Sequence, residues 1–136
     1  MHLPLALLSI ALCITTASCI GQTPVWDIVS FSQAEINVNG KWSQWSAPRT
    51  GYTGSVVKFP KDKDLIIIEA STTKFMRIIN QREVTFDSKY NPVFGFDCVD
   101  DEGERCLITI VHDSDQISHM TIQYPIIMFR YGLKPR

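Results

Sequence analysis

Cys98 and Cys106 stand in the run Phe94-Gly-Phe-Asp-Cys-Val-Asp-Asp-Glu-Gly-Glu-Arg-Cys-Leu-Ile108, where a hairpin brings the two sulfurs together. With Gly103 left-handed at the end of a three-residue loop, Asp100 pairs with Glu104, Val99 with Arg105 and Cys98 with Cys106. Opposed residues on one face hold their β-carbons about 4.5–5.5 Å apart, within reach of a disulfide after small adjustment. The sequence therefore predicts a Cys98–Cys106 disulfide across one ribbon, with Phe94, Phe96, Ile108 and Ile110 on the same face. Closing so short a loop is worth roughly 2.5 kcal/mol in the chain-entropy treatment. Two cysteines without nearby His or Cys partners make a poor zinc centre.

The same ribbon carries Asp97, Asp100, Asp101, Glu102 and Glu104. Calcium needs roughly six to eight oxygens converging on one point, and the spacing does not follow the Asp-x-Asp-x-Asp-Gly loop. A solvated acidic tip is the expectation. In His112-Asp-Ser-Asp-Gln-Ile-Ser-His119, a four-residue loop with Asp113 opposite Ser118 makes the imidazoles cross-strand neighbours, able to share a metal with Asp115. Both sit beside a polar turn, so exposed turn residues are the simpler reading. No serine or cysteine has the setting of an activated nucleophile. No catalytic, cofactor-binding or metal residue is assigned, no cofactor is expected, and the protein reads as a non-enzyme.

Trp42-Ser-Gln-Trp-Ser46 resembles the Trp-Ser-x-Trp-Ser box of cytokine receptors and, where cysteines follow, of thrombospondin-type repeats. Receptors carry that box at the end of a fibronectin-type domain. Here it follows the first hairpin turn, without the cysteines. Residues three apart on a strand face opposite ways, so one tryptophan is expected in the core and the other on the surface.

These groups must be positioned by strands. Val, Ile, Phe, Thr, Tyr and Trp recur in short runs parted by Gly, Asn, Asp or Pro, and no long stretch shows a helical apolar period. The predicted strands are Trp26 to Val38, Ser55 to Phe59, Leu65 to Ile68, Thr73 to Asn80 and Val84 to Asp87. The rest are Val93 to Asp100, Glu104 to Val111, one from His119, and Ile126 to Tyr131. Asn39-Gly40 predicts a two-residue type I′ turn that sets Val38 opposite Lys41, Ile36 opposite Ser43 and Ala34 opposite Trp45. Leu65-Ile-Ile-Ile68 reads as a strand buried on both faces. The fold expected is a single antiparallel all-β domain of eight to ten strands over residues 22–136, a calycin-like barrel or a β-sandwich. Short connections favour the barrel. A basic tail, Lys134-Pro-Arg136, is expected to fray.

Residues 1–21 contain no Lys, Arg, Asp or Glu and run Leu-Pro-Leu-Ala-Leu-Leu-Ser-Ile-Ala-Leu before small residues. The apolar run is about half the roughly 20 residues a membrane-spanning helix needs, so it reads as a signal peptide. Cleavage after Gly21 is one outcome. The other is a lipobox, Thr16-Ala-Ser-Cys19, with Cys19 acylated and the chain tethered to a membrane. Export places the protein in the periplasm, outside the cell or at its envelope, where thiols oxidise.

Thirteen basic residues stand against fourteen acidic ones, which argues against a nucleic-acid partner. The Cys98–Cys106 ribbon, preceded by Phe-x-Phe and followed by a Tyr-containing terminal strand, resembles segments of small uncharacterised exported β-proteins of Gram-negative bacteria. That group has no agreed activity. The expected function is a binding or structural module for an unknown protein or glycan, with membrane contact only if Cys19 carries lipid. The alternative is a calycin-like carrier of a small apolar ligand, its cavity lined by Met76, Phe94, Phe96, Met120 and Met128.

Overall fold

Apolar and polar residues alternate along most segments of this chain, and a period of two suits a sheet with one dry face. The computed structural model describes residues 24–50, 54–112 and 117–136, and none of these is helical. The predicted signal segment with Cys19 and Gly21, and the loop residues Asp113 and Asp115, lie outside them. In chain order the strands are β1 (Val25–Glu35), β2 (Val56–Lys58), β3 (Leu65–Glu69), β4 (Thr73–Gln81), β5 (Thr85–Phe86), β6 (Pro92–Val99), β7 (Arg105–His112), β8 (Ser118–Gln123) and β9 (Ile127–Pro135).

Consecutive strands from β1 to β4 and from β5 to β9 pair antiparallel, the meander that short turns impose. Two further pairings close it. β1 lies along β9, from Trp26 opposite Pro135 to Glu35 opposite Ile127. β4 joins β6, with Arg77 opposite Val99 and Gln81 opposite Phe96. The sheet is thus an eight-stranded barrel rather than a sandwich, with β5 a short addition to β6. The tail is not frayed: β9 runs to Pro135, and Arg136 pairs with Asp27 at 3.0 Å.

Eight strands leave an interior that side chains can fill. Met76, Phe96, Ile108 and Met120 fill it at 0 % exposure, so no water-sized space adjoins them. Each such burial is worth roughly 1.5–3 kcal/mol. In β3, Ile66 and Ile68 point inward while Leu65 and Ile67 are half-buried outside, which corrects the expectation of burial on both faces. A closed barrel has no doubly covered central strand. Met128 also departs from the expected cavity lining. It pairs with Ala34 and alternates with the inward Ile127 and Phe129, so it faces out.

Three turns share one chemistry. At Asn37, Asp87 and Asp100 a side-chain oxygen accepts the amides two and four residues on. The fourth residue of each is left-handed: Gly40 at φ 75°, Tyr90 at 62° and Gly103 at 82°. Gly103 takes the expected position, and the Asp100 amide donates to Glu104 O at 2.9 Å. The Asn39-Gly40 expectation fails by one residue. Asn37 supplies the side-chain acceptor and starts the turn earlier, so only Gly40 needs positive φ. Ile36 then faces Trp42, and Ser43 bonds to Glu35.

Beyond that turn the chain does not pleat. Ser43, Ser46 and Arg49 donate their amides to Glu35, Gln33 and Phe31 O, so three residues here span two of β1. The Ser43 and Ser46 hydroxyls accept the Glu35 and Gln33 amides, each at 3.0 Å. The serines thus satisfy backbone groups that a regular partner strand would have taken.

Candidate functional site

Cys98 and Cys106 face each other across β6 and β7 as the hairpin register predicts, both pointing inward. They are present as free thiols. Counting from the Asp100–Glu104 bond, they occupy a hydrogen-bonded pair position, where Cα atoms lie about 5.5 Å apart, inside the range a disulfide tolerates. Burial pushes the Cys98 thiol up to about 12, helped by the charges of Cys106 and Asp97. Burial likewise pushes Cys106 up to about 11, with Asp100 adding to it. As thiols they are poor nucleophiles at neutral pH.

The acidic residues grouped by sequence diverge in space. Asp97 lies on the outer wall, bound by Arg82 at 3.0 Å and by Asn80, and the Arg82 bond holds its carboxyl below the usual value. Asp101 accepts the Phe75 amide at the edge of β4. Asp100 turns into its own hairpin and accepts the Tyr124 hydroxyl at 2.9 Å. Burial opposes its ionisation, yet the Glu104 amide, Tyr124 hydroxyl and Glu102 amide together keep its carboxyl below the ordinary range. Burial raises the Tyr124 hydroxyl. At this mouth Lys74 lies 6.0 Å above the Phe129 ring, in a groove of about 620 Å³ with Ile126, Ile127 and Phe129 among its walls.

The two histidines do not converge. His112 pairs with Ser118 and Val111 with His119, one residue away from the register that would have joined them, so the imidazoles take opposite faces. His112 points inward at the other mouth, between Trp26 at 5.7 Å and Phe94 at 5.9 Å. Its Nδ1 is 2.7 Å from Ser118 Oγ, while its buried Nε2 has no partner. Desolvation lowers its pKa. Ser118 is 3 % exposed, too enclosed to attack a substrate. No group of three or more His, Cys, Asp or Glu among the described residues could hold a metal.

Trp42 and Trp45 are both half-buried, and the expected division into one core and one surface ring fails. The three-residue winding puts them at equivalent positions, each just before a serine that bonds to β1. Trp45 lies against the Arg130 guanidinium, 4.5 Å from ring centroid to Cζ. Arg130 faces outward from β9, level with Ser32 on β1 and Thr121 on β8. Thr121 is level with Thr109 on β7, and Thr109 with Gly95 on β6. Gly95 lets the Arg82 side chain lie flat, since a Cβ there would meet Arg82 Cδ at 3.4 Å.

This row of hydroxyls between two arginines was not found from sequence. In the sequence Arg130 is only the polar member of an alternating run, and its partner Trp45 lies on a segment that does not follow the period of two.

Fold and surface together define a closed, up-and-down, eight-stranded barrel with a filled interior and a polar, aromatic-flanked outer wall. No family model, curated protein or solved structure matches the chain.

Proposed function

We propose that this is an exported, non-enzymatic binding module whose partner docks on the outside of the barrel. The sealed interior carries the reading: four of the side chains expected to line a ligand cavity, Met76, Phe94, Phe96 and Met120, are at most 3 % exposed. The isolated His112–Ser118 pair and the scattered carboxylates supply no nucleophile with an accessible target. In the exported protein Cys98 and Cys106 are oxidised to the disulfide their register allows. Maturation proceeds by cleavage after Gly21 or by acylation of Cys19, and the second route alone brings the protein to a membrane.

The groove beside Phe129 and Ile127 favours a second reading, the calycin-like carrier, because barrel mouths are common sites for small apolar ligands. Titration with a fluorescent fatty acid, together with native mass spectrometry of freshly purified protein, separates the two. The binding-module reading expects no saturable uptake and no retained small molecule. Saturable one-to-one uptake transfers the function to the barrel mouth. Thiol titration of protein purified without reductant tests the disulfide, with no free sulfhydryl expected at Cys98 or Cys106.

A further inference from the structure

Charge is unevenly placed on this barrel. Inward positions alternate with outward ones, so Arg105, Arg130 and Lys134 share the outer wall with His119, Thr109 and Thr121. Two carboxylates of that wall are already matched, Asp97 by Arg82 and Asp27 by Arg136, each at 3.0 Å. Arg105, Arg130 and Lys134 form no direct ion pair among the described residues, although the charge of Arg105 is felt at Asp97 and Lys134 stands opposite Asp27. A chain of net charge −1 thus gathers three cations without a direct ion pair on this wall.

We propose that this outer wall binds an anionic polysaccharide, a chain of sugars bearing carboxylate or sulfate groups, centred on Arg130 and Trp45. The inference rests on the binding-module reading and names its ligand class. The Arg130 guanidinium is held by Trp45 at its face, which leaves the in-plane N–H donors for a planar, forked acceptor. A ring-stacked guanidinium is also less hydrated than an ammonium, so it gives up less water when an anion arrives.

The hydroxyls of Thr121 and Thr109 lie in one row with Arg130, ending at Gly95 under Arg82, while Ser32, level with Arg130 on β1, is 3 % exposed and out of a ligand's reach. From β9 to β6 that row crosses three strand spacings, about 14 Å, which suits several linked sugars rather than a single ion. Hydroxyls match sugar hydroxyls, and the half-buried indoles of Trp42 and Trp45 offer apolar surface to the C–H faces of sugar rings. An acidic peptide would leave that hydroxyl row without matched partners. A nucleic acid would need a longer basic track than these residues supply.

The test is binding of the full mature protein to immobilised heparin and to polygalacturonate, at low and at physiological salt. Polyglutamate, a DNA oligonucleotide and a neutral glucan serve as comparisons. The expected result is binding to one or both acidic polysaccharides, weakened by salt, with little binding to the other three. Arg130→Gln reduces affinity by about tenfold or more, the loss of a charge-assisted fork. Arg130→Lys recovers only part of it, and Lys61→Ala, at the turn before β3, leaves it unchanged. Arg105→Gln weakens binding without disturbing the Trp45 stack, which guards against misfolding of the Arg130 variants.

Equal binding by Arg130→Gln and wild type, or equal binding to DNA or polyglutamate, overturns the proposal. So does failure of wild type to bind either polysaccharide. That last result leaves the binding-module reading standing, because the fatty-acid titration decides it separately.

Discussion

Replacing His112 by Phe changes how stability depends on pH, because among the described residues this imidazole carries a buried nitrogen without a hydrogen-bond partner. Desolvation depresses its pKa below the 6.5 of the unfolded chain. Between the folded and unfolded values the unfolded chain takes up a proton and the native protein does not, so stability rises with pH there. Stability is therefore lost as pH falls below 6.5, at a limiting slope of about 1.4 kcal/mol per pH unit. A phenyl ring fits between Trp26 and Phe94 and does not titrate, but it leaves the Ser118 hydroxyl unpaired, at a cost of about 1–3 kcal/mol. Urea denaturation at a series of pH values gives the difference directly. The variant should be the less stable near pH 7.5, and the gap should shrink as pH falls below 6.5. His119 is common to both proteins and cancels. Asp87, Asp97 and Asp100 have lowered pKa values, so their contributions fade only below 3.8, in a separate window. A gap that stays constant across the series would refute this account of His112.

Other substitutions test the elements that hold the two mouths. Tyr90 is left-handed and 85 % exposed where the equivalent residues of the other two turns are glycines. Tyr90→Gly should be neutral to about 1 kcal/mol stabilising, as relief of left-handed strain exceeds the entropy lost by glycine; a lower melting temperature would contradict this. Tyr124→Phe removes the hydroxyl that Asp100 accepts and should cost about 1–2 kcal/mol in chemical denaturation. Oxidation of Cys98 and Cys106 to the disulfide should add roughly 2.5 kcal/mol, read as a drop in denaturation midpoint on adding reductant, and Cys106→Ala should abolish that drop.

How much the sequence disclosed depended on whether local and tertiary signals agreed. In the Cys98–Cys106 ribbon they did: Asp100 and Gly103 specify the turn, alternation specifies the faces, and the register follows. At Asn39-Gly40 two local rules competed. The dipeptide favoured a two-residue turn, but Asn37 caps a three-residue one, and the slip of one position moves every later partner. Barrel closure was not written locally, because β1 meets β9 through pairs about a hundred residues apart, Trp26 with Pro135 among them. Hence the short connections allowed a sandwich as readily as a barrel.

Trp42-Ser-Gln-Trp45-Ser shows why the candidate site was the least legible part. A period of two, applied to this segment, parts the tryptophans; the three-residue winding that the serines permit brings them to equivalent positions. That winding is available only because β1 offers an unpaired edge at Phe31, Gln33 and Glu35, and the edge exists because β2 pairs only with Val25–Asp27. Arg130 meets Trp45 for the same reason, since a pleated strand would have carried the ring past it. The surface that differs most from a plain barrel thus depends on the segment where the barrel's own periodicity gives way. Removing the Ser43 and Ser46 hydroxyls together should loosen that segment, weaken polysaccharide binding and leave the barrel cooperatively folded. Loss of cooperative folding in the double alanine variant would show instead that residues 42–49 are part of the barrel wall.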